Sequence, residues 1–126
     1  MPHVTAIDAF FERYAERYMA SDVDAIASLY EAPFLAVRDG RAIHLPDREA
    51  VREHLSGLMQ AYAAAGAVRA DIASLDALPL GPSGAMVTVN WHAVDADGTM
   101  VRDFHTSYHL LRSGETWRIL SYTNHA

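Results

Sequence analysis

The stretch VNWHAVDADGTMVRDFHTSYHLL, residues 89–111, constrains the fold more than any other part of the chain. Asp97-Gly98 lies between two runs of alternating polar and apolar residues, the pattern of a β-hairpin closed by a tight turn. With the turn placed, the antiparallel register follows: His92 faces Asp103, Asn90 faces His105 and Thr88 faces Ser107. Opposed side chains share a face, with Cβ atoms about 5 Å apart. A second turn around Ser113-Gly114 extends the register to a last strand, placing Asn124 opposite Asp103, Tyr122 opposite His105 and Leu120 opposite Ser107. One face is then polar and rich in histidine: Asn90, His92, Asp103, His105, Ser107, Tyr122 and Asn124, with His109 further along. The other carries Trp91, Phe104, Tyr108, Trp117 and Ile119.

Helices precede these strands. Ile7, Phe11, Tyr14 and Tyr18 recur at helical spacing, and SDVDAIASLYE reads as a short second helix capped by Ser21 or Asp22. FLAVRDGRAIHL is a small hairpin around Asp39-Gly40. Pro46-Asp47 opens a third helix with Val51, Leu55, Leu58 and Tyr62 as its apolar stripe, and Gly66 stops it. Strands are expected at roughly 68–80, 85–96, 99–111 and 116–125. The 126 residues make one domain, 1–126, of the α+β class, with helices on one face of a curved antiparallel sheet.

Composition excludes several functions. A net charge of −6 argues against nucleic acid and anionic membrane partners, which need clustered Lys and Arg. There is no cysteine, hence no disulfide framework or thiolate nucleophile. No run approaches the ~18 apolar residues of a membrane span, and the first residues lack the pattern of a signal peptide, so a cytoplasmic location is expected.

The apolar face has to be covered, since each large side chain left in water forgoes about 1.5–3 kcal/mol. Either the helices cover it and the polar face meets solvent, or the helices arch over the polar face and a second subunit covers the apolar one.

The order of elements, together with FFERYAERYMASDVDAIASLY, DREAVREHL and SGETWRILSYTNHA, resembles the nuclear-transport-factor-2-like or SnoaL-like cone fold, which includes ketosteroid isomerases and scytalone dehydratase. The resemblance covers nearly the whole chain and implies a cystatin-like cone with a pocket between helices and sheet. It favours the second arrangement, with a ligand at the polar face and a homodimer through Trp91, Phe104, Tyr108 and Trp117. It also aligns Tyr14 with the isomerases' oxyanion-donating tyrosine. Their acids are missing: Asp39 is out of register and Ser107 stands where the second acid falls, so steroid isomerisation is not implied.

On this reading His92 and Asp103 form a general-base pair, Asn124 orients the carboxylate, and Tyr14 donates to a substrate oxygen. Asn90, His105, Ser107, His109, Tyr122 and Asn124 line the substrate. The chemistry expected is a cofactor-free isomerase, dehydratase or cyclase acting on a small oxygen-bearing molecule. The alternative is a dimeric binding or accessory domain that leaves its ligand unchanged. No metal is expected: His105 and His109 are about 13 Å apart along one strand, and His92, Asp103 and His105 match no familiar metal motif. His3, His44, His54 and His125 receive no role, Arg38, Arg48 and Arg52 read as surface charges, and Tyr30, Phe34 and Tyr62 are candidates for pocket lining.

Overall fold

A computed structural model describes residues 2–125, with side chains from Ala6 onward. The chain runs α1 (Pro2–Met19), α2 (Val23–Ala27), β1 (Tyr30–Arg38), β2 (Arg41–Leu45), α3 (Arg48–Ala64), β3 (Ala67–Leu80), β4 (Gly84–Asp95), β5 (Met100–Ser113) and β6 (Thr116–His125). The short helix α2 begins where the Asp22 carboxylate accepts from the Ala25 amide, and α3 where Asp47 accepts from Ala50. The β1–β2 turn needs positive φ at both central positions, which Asp39 (52°) and Gly40 (73°) supply.

The strands form one six-stranded sheet in the order β2-β1-β6-β5-β4-β3. All neighbours are antiparallel except β1 and β6, which the chain joins as a parallel pair. Arg118 stitches that junction by pairing with Glu31 and donating to the carbonyls of Ser28 and Tyr30. The domain is thus α+β, three helices packed on a curved sheet. Among the described residues, no helix is long and apolar enough to cross a membrane.

The hairpin at Asp97-Gly98 has the expected register: His92 pairs with Asp103, Asn90 with His105 and Thr88 with Ser107. The next hairpin departs from expectation. Its turn is Gly114-Glu115, with Ser113 opposite Thr116, and the register shifts where His109 meets Ser121 while Leu110 meets Ile119. Leu120 is the extra residue of a β-bulge, and one extra residue turns everything beyond it to the other face. Tyr122 consequently pairs with Tyr108 and Asn124 with Thr106, while Thr123 and His125 join Ser107 and His105.

The helices cover the apolar face. Trp91, Tyr108, Trp117 and Ile119 are buried in one core with Phe11, Tyr14, Ile26 and Leu55. The Phe11 ring sits 4.7 Å from Tyr108 and 6.4 Å from Trp91. This corrects the second arrangement drawn from the resemblance: Trp91, Tyr108 and Trp117 are inside the protomer and cannot form a dimer surface, and Phe104 packs against Tyr62 of α3. The apolar stripes of α1 and α3 need an apolar partner, and the sheet's aromatic face supplies it within the same chain.

Candidate functional site

The polar face lies outside the cone, so the expected site residues separate into two groups. His92 Nε2 is 3.4 Å from Asp103 Oδ1, but the side chains remain 30% and 57% exposed, which places the pair on a solvated sheet surface. Asn90 there donates to Asp103 Oδ1 at 2.7 Å. Ser107 bonds Thr88 (2.7 Å) and His125 (2.9 Å), and the His105 and His125 rings stack 5.6 Å apart. His109 shares this outer face through its pairing with Met86 and Ser121. Placing Asn90, His92, Asp103, His105, Ser107 and His109 in the pocket is therefore corrected, because the helices bury the opposite face. The expected row His92–Asp103–Asn124 is also broken, since the Leu120 bulge turns Asn124 inward. Among the described residues no group of three His, Asp or Glu is disposed to hold a metal ion.

Tyr14, Tyr122 and Asn124 do meet, in a pocket between the helices and the sheet. Helix α1 contributes Tyr14, Tyr18 and Met19 to it, α3 contributes Leu58 and Tyr62, and the strands contribute Tyr30, Arg38, Trp91, Phe104, Thr106, Tyr108, Tyr122 and Asn124. The empty space is about 550 Å³ including the mouth, of which water centres can occupy about 60 Å³. That holds on the order of four waters, or one small ring.

The wall is aromatic and contains no carboxylate, and its indole and the hydroxyls of Tyr14, Tyr30, Tyr62, Tyr108 and Tyr122 are hydrogen-bonded. Tyr14 and Tyr30 share a 2.6 Å hydrogen bond, and Trp91 Nε1 donates to the Tyr108 hydroxyl at 2.9 Å. Burial pushes the phenols of Tyr14, Tyr18, Tyr30 and Tyr108 well above their usual range. They are neutral at any physiological pH.

Two guanidiniums stand at this pocket. Arg38 lines it, donating to the Tyr122 hydroxyl at 3.4 Å with its charge 5.9 Å from the Tyr122 ring centre. Arg102 lies 4.7 Å over the Phe104 ring and donates to Tyr62 (3.1 Å) and Asn124 Oδ1 (3.2 Å). Among the described residues neither has a carboxylate partner, in contrast to Arg52 with Asp24 and Arg69 with Asp71. A guanidinium keeps its charge, and one set among apolar walls without a counter-ion attracts an anion.

Sequence reasoning missed Arg38 and His54. Arg38 follows Phe34 and Ala36 on one side of β1, so strand alternation turns it inward with them. His54 lies at the flank of the Val51, Leu55, Leu58 stripe, and its Nε2 reaches the Tyr122 hydroxyl at 2.6 Å.

The sequence profile of the family described as NTF2-like protein (DUF6841) matches residues 5–126. The chain belongs to that family. Solved structures agree on the fold. Aln2 from a Streptomyces species superposes with a TM-score of 0.78 at 15% identity, covering 99% of this chain and 91% of that one. An NTF2-like protein with a cystatin-like fold from Novosphingobium aromaticivorans gives 0.71 at 18% identity, over 95% and 79%. A Mycobacterium tuberculosis protein of unknown function gives 0.73 at 20% identity, over 97% and 70%. Among curated proteins none matches. These identities establish the cone and leave its chemistry to the residues of this NTF2-like chain.

Proposed function

We propose that the cone binds a small, flat, largely apolar organic acid, with its ring among Tyr14, Trp91 and Tyr108 and its anionic oxygens at Arg38. NTF2-like domains often bind small molecules, which supports a small-molecule ligand here. The observation that carries the reading is the Arg38 guanidinium set in an aromatic wall with no carboxylate beside it. Two neutral phenols sharing one hydrogen bond leave one O–H proton over. Tyr14 or Tyr30 can therefore donate to a ligand oxygen at the deep end of the pocket. With no carboxylate or imidazole in the wall itself, binding is favoured over turnover by a His–Asp pair.

The test is a titration with benzoate and with benzamide, its neutral counterpart of equal size, followed by NMR. A charge-assisted contact to guanidinium contributes roughly 1.5–3 kcal/mol, so benzoate should bind about ten- to a hundredfold more tightly than benzamide. The preference should vanish in Arg38→Met. Equal binding of the two compounds to the native chain would sink the acid-binding reading.

A further inference from the structure

The contact between α3 and β6 has a role in this pocket that the ligand reading alone does not assign. Tyr122 forms part of the pocket wall, with Arg38 donating to its hydroxyl from one side. On the other side its hydroxyl meets His54 Nε2 at 2.6 Å. His54 is only half-buried and is not part of the wall, so it stands between Tyr122 and the surface of the domain. We propose that Tyr122 and His54 form a two-residue proton relay between pocket and solvent, and that an organic acid bound at Arg38 is accompanied by a proton taken up on His54. This rests on the acid-binding reading above.

The hydroxyl of Tyr122 has one proton and two lone pairs, and Arg38 can only donate, so it occupies one lone pair. Two arrangements remain. In the first, Tyr122 donates to a bare His54 Nε2 and offers the pocket no proton. In the second, His54 Nε2–H donates to Tyr122, whose own proton then points at a ligand oxygen. In the first the neutral ring carries its proton at Nδ1, so the second is reached when Tyr122 passes its proton to Nε2 and takes one from the protonated acid, leaving a carboxylate at Arg38 and a cationic His54. A bound carboxylate favours it twice over: it accepts the Tyr122 proton, and it offsets the positive charge of Arg38.

Electrostatics around His54 point the same way. Burial first, and then the nearby Arg38 charge, hold His54 below the usual imidazole range, so it is neutral near pH 7. The groups that face it are Arg38 from β1 and Tyr122 from β6, and among the described residues no carboxylate acts on it. An anion at Arg38 removes the second of the two depressing causes. Affinity for the acid therefore rises as the pH falls toward and through the imidazole range, and no bond in the ligand forms or breaks.

The experiment is calorimetry of benzoate binding to the full chain at about pH 6, in two buffers of different ionisation heat. The expected result is net proton uptake by the native protein and none by His54→Gln, with the uptake reduced in Tyr122→Phe. Binding without uptake, or equal uptake in His54→Gln, overturns the relay while leaving the acid site standing. If benzoate does not bind, the acid site itself fails, and the proposed coupling of an acid to His54 falls with it. The relay's electrostatic premise has its own readout without ligand: the imidazole titration of His54 by NMR should move to higher pH in Arg38→Gln. An unchanged midpoint overturns the relay whatever benzoate does.

Discussion

Tyr108 and Tyr122 stand directly opposite each other on β5 and β6, and Leu120 is the residue that brings them into register. Without that bulge Tyr122 and Asn124 would turn outward, and the pocket would lose two of its walls. Deleting Leu120 should therefore cost more than a surface change, on the order of 3 kcal/mol or more, because buried Tyr122 and half-buried Asn124 exchange faces with exposed Thr123 and His125. Denaturant unfolding measures the loss. In the native chain, NOEs should join the rings of Tyr122 and Tyr108 and be absent between Tyr122 and His105.

The outer pair His92–Asp103 should matter little. Both side chains are substantially solvated at 3.4 Å, the regime in which ion pairs contribute under about 1 kcal/mol. His92→Ala and Asp103→Asn should leave benzoate affinity within twofold of native, roughly 0.4 kcal/mol. A tenfold loss in either variant would return the ligand site to the outer face.

Phe11 anchors the helices to the sheet, fully buried and in ring contact with Phe10, Tyr14, Trp91 and Tyr108. Phe11→Ala should cost about 3–5 kcal/mol, from lost burial plus the cavity left behind. Chemical denaturation followed by Trp fluorescence measures it. A loss below about 1 kcal/mol would mean that α1 is not docked as described.

Alkali should unfold the protein cooperatively. All six tyrosines of the chain are held above the ordinary phenol value, with burial the leading cause at each. A group whose folded pKa exceeds its unfolded one stabilises the fold below the unfolded value, here about 10, and loses that contribution as the pH rises. Each buried phenol adds about 1.4 kcal/mol per pH unit of slope above that point. Phenolate absorbance should thus stay low past about pH 10 and appear in one step with loss of near-UV circular dichroism. A gradual six-proton titration of folded protein would contradict it.

On the acid side His54 acts with the opposite sign. Its folded pKa lies below the unfolded ~6.5, so the unfolded chain binds more protons there, and stability falls as the pH drops through that window. His54→Gln should flatten that part of the stability-against-pH curve, measured by urea midpoints between about pH 7 and pH 5.

What the sequence determined by itself was whatever local chemistry decides. Asp39-Gly40 closes a hairpin with both residues at positive φ and Gly98 takes positive φ in the next, where a one-residue shift between Ala93 and Val94 beside the turn completes the β4–β5 register. The helical spacing of Ile7, Phe11 and Tyr14, and of Val51 and Leu55, marked the buried stripes for the same reason. The α+β order followed from these, and the cone from the family resemblance that this order and its motifs carry. Alternation also separated the sheet into a polar and an aromatic face.

Which face the helices cover was not local, and neither was the phase of β6. Both are settled by where large apolar side chains find partners across the chain. Trp117, Ile119 and Tyr122 are all buried, which strict alternation forbids, and a bulge at Leu120 reconciles them with α1 and α3. That slip in period is visible in WRILSY, but only the packed helices give a reason to take it. Arg38 and His54 became a site in the same way: they lie 16 positions apart, and each acquires meaning through Tyr122, brought between them by the fold.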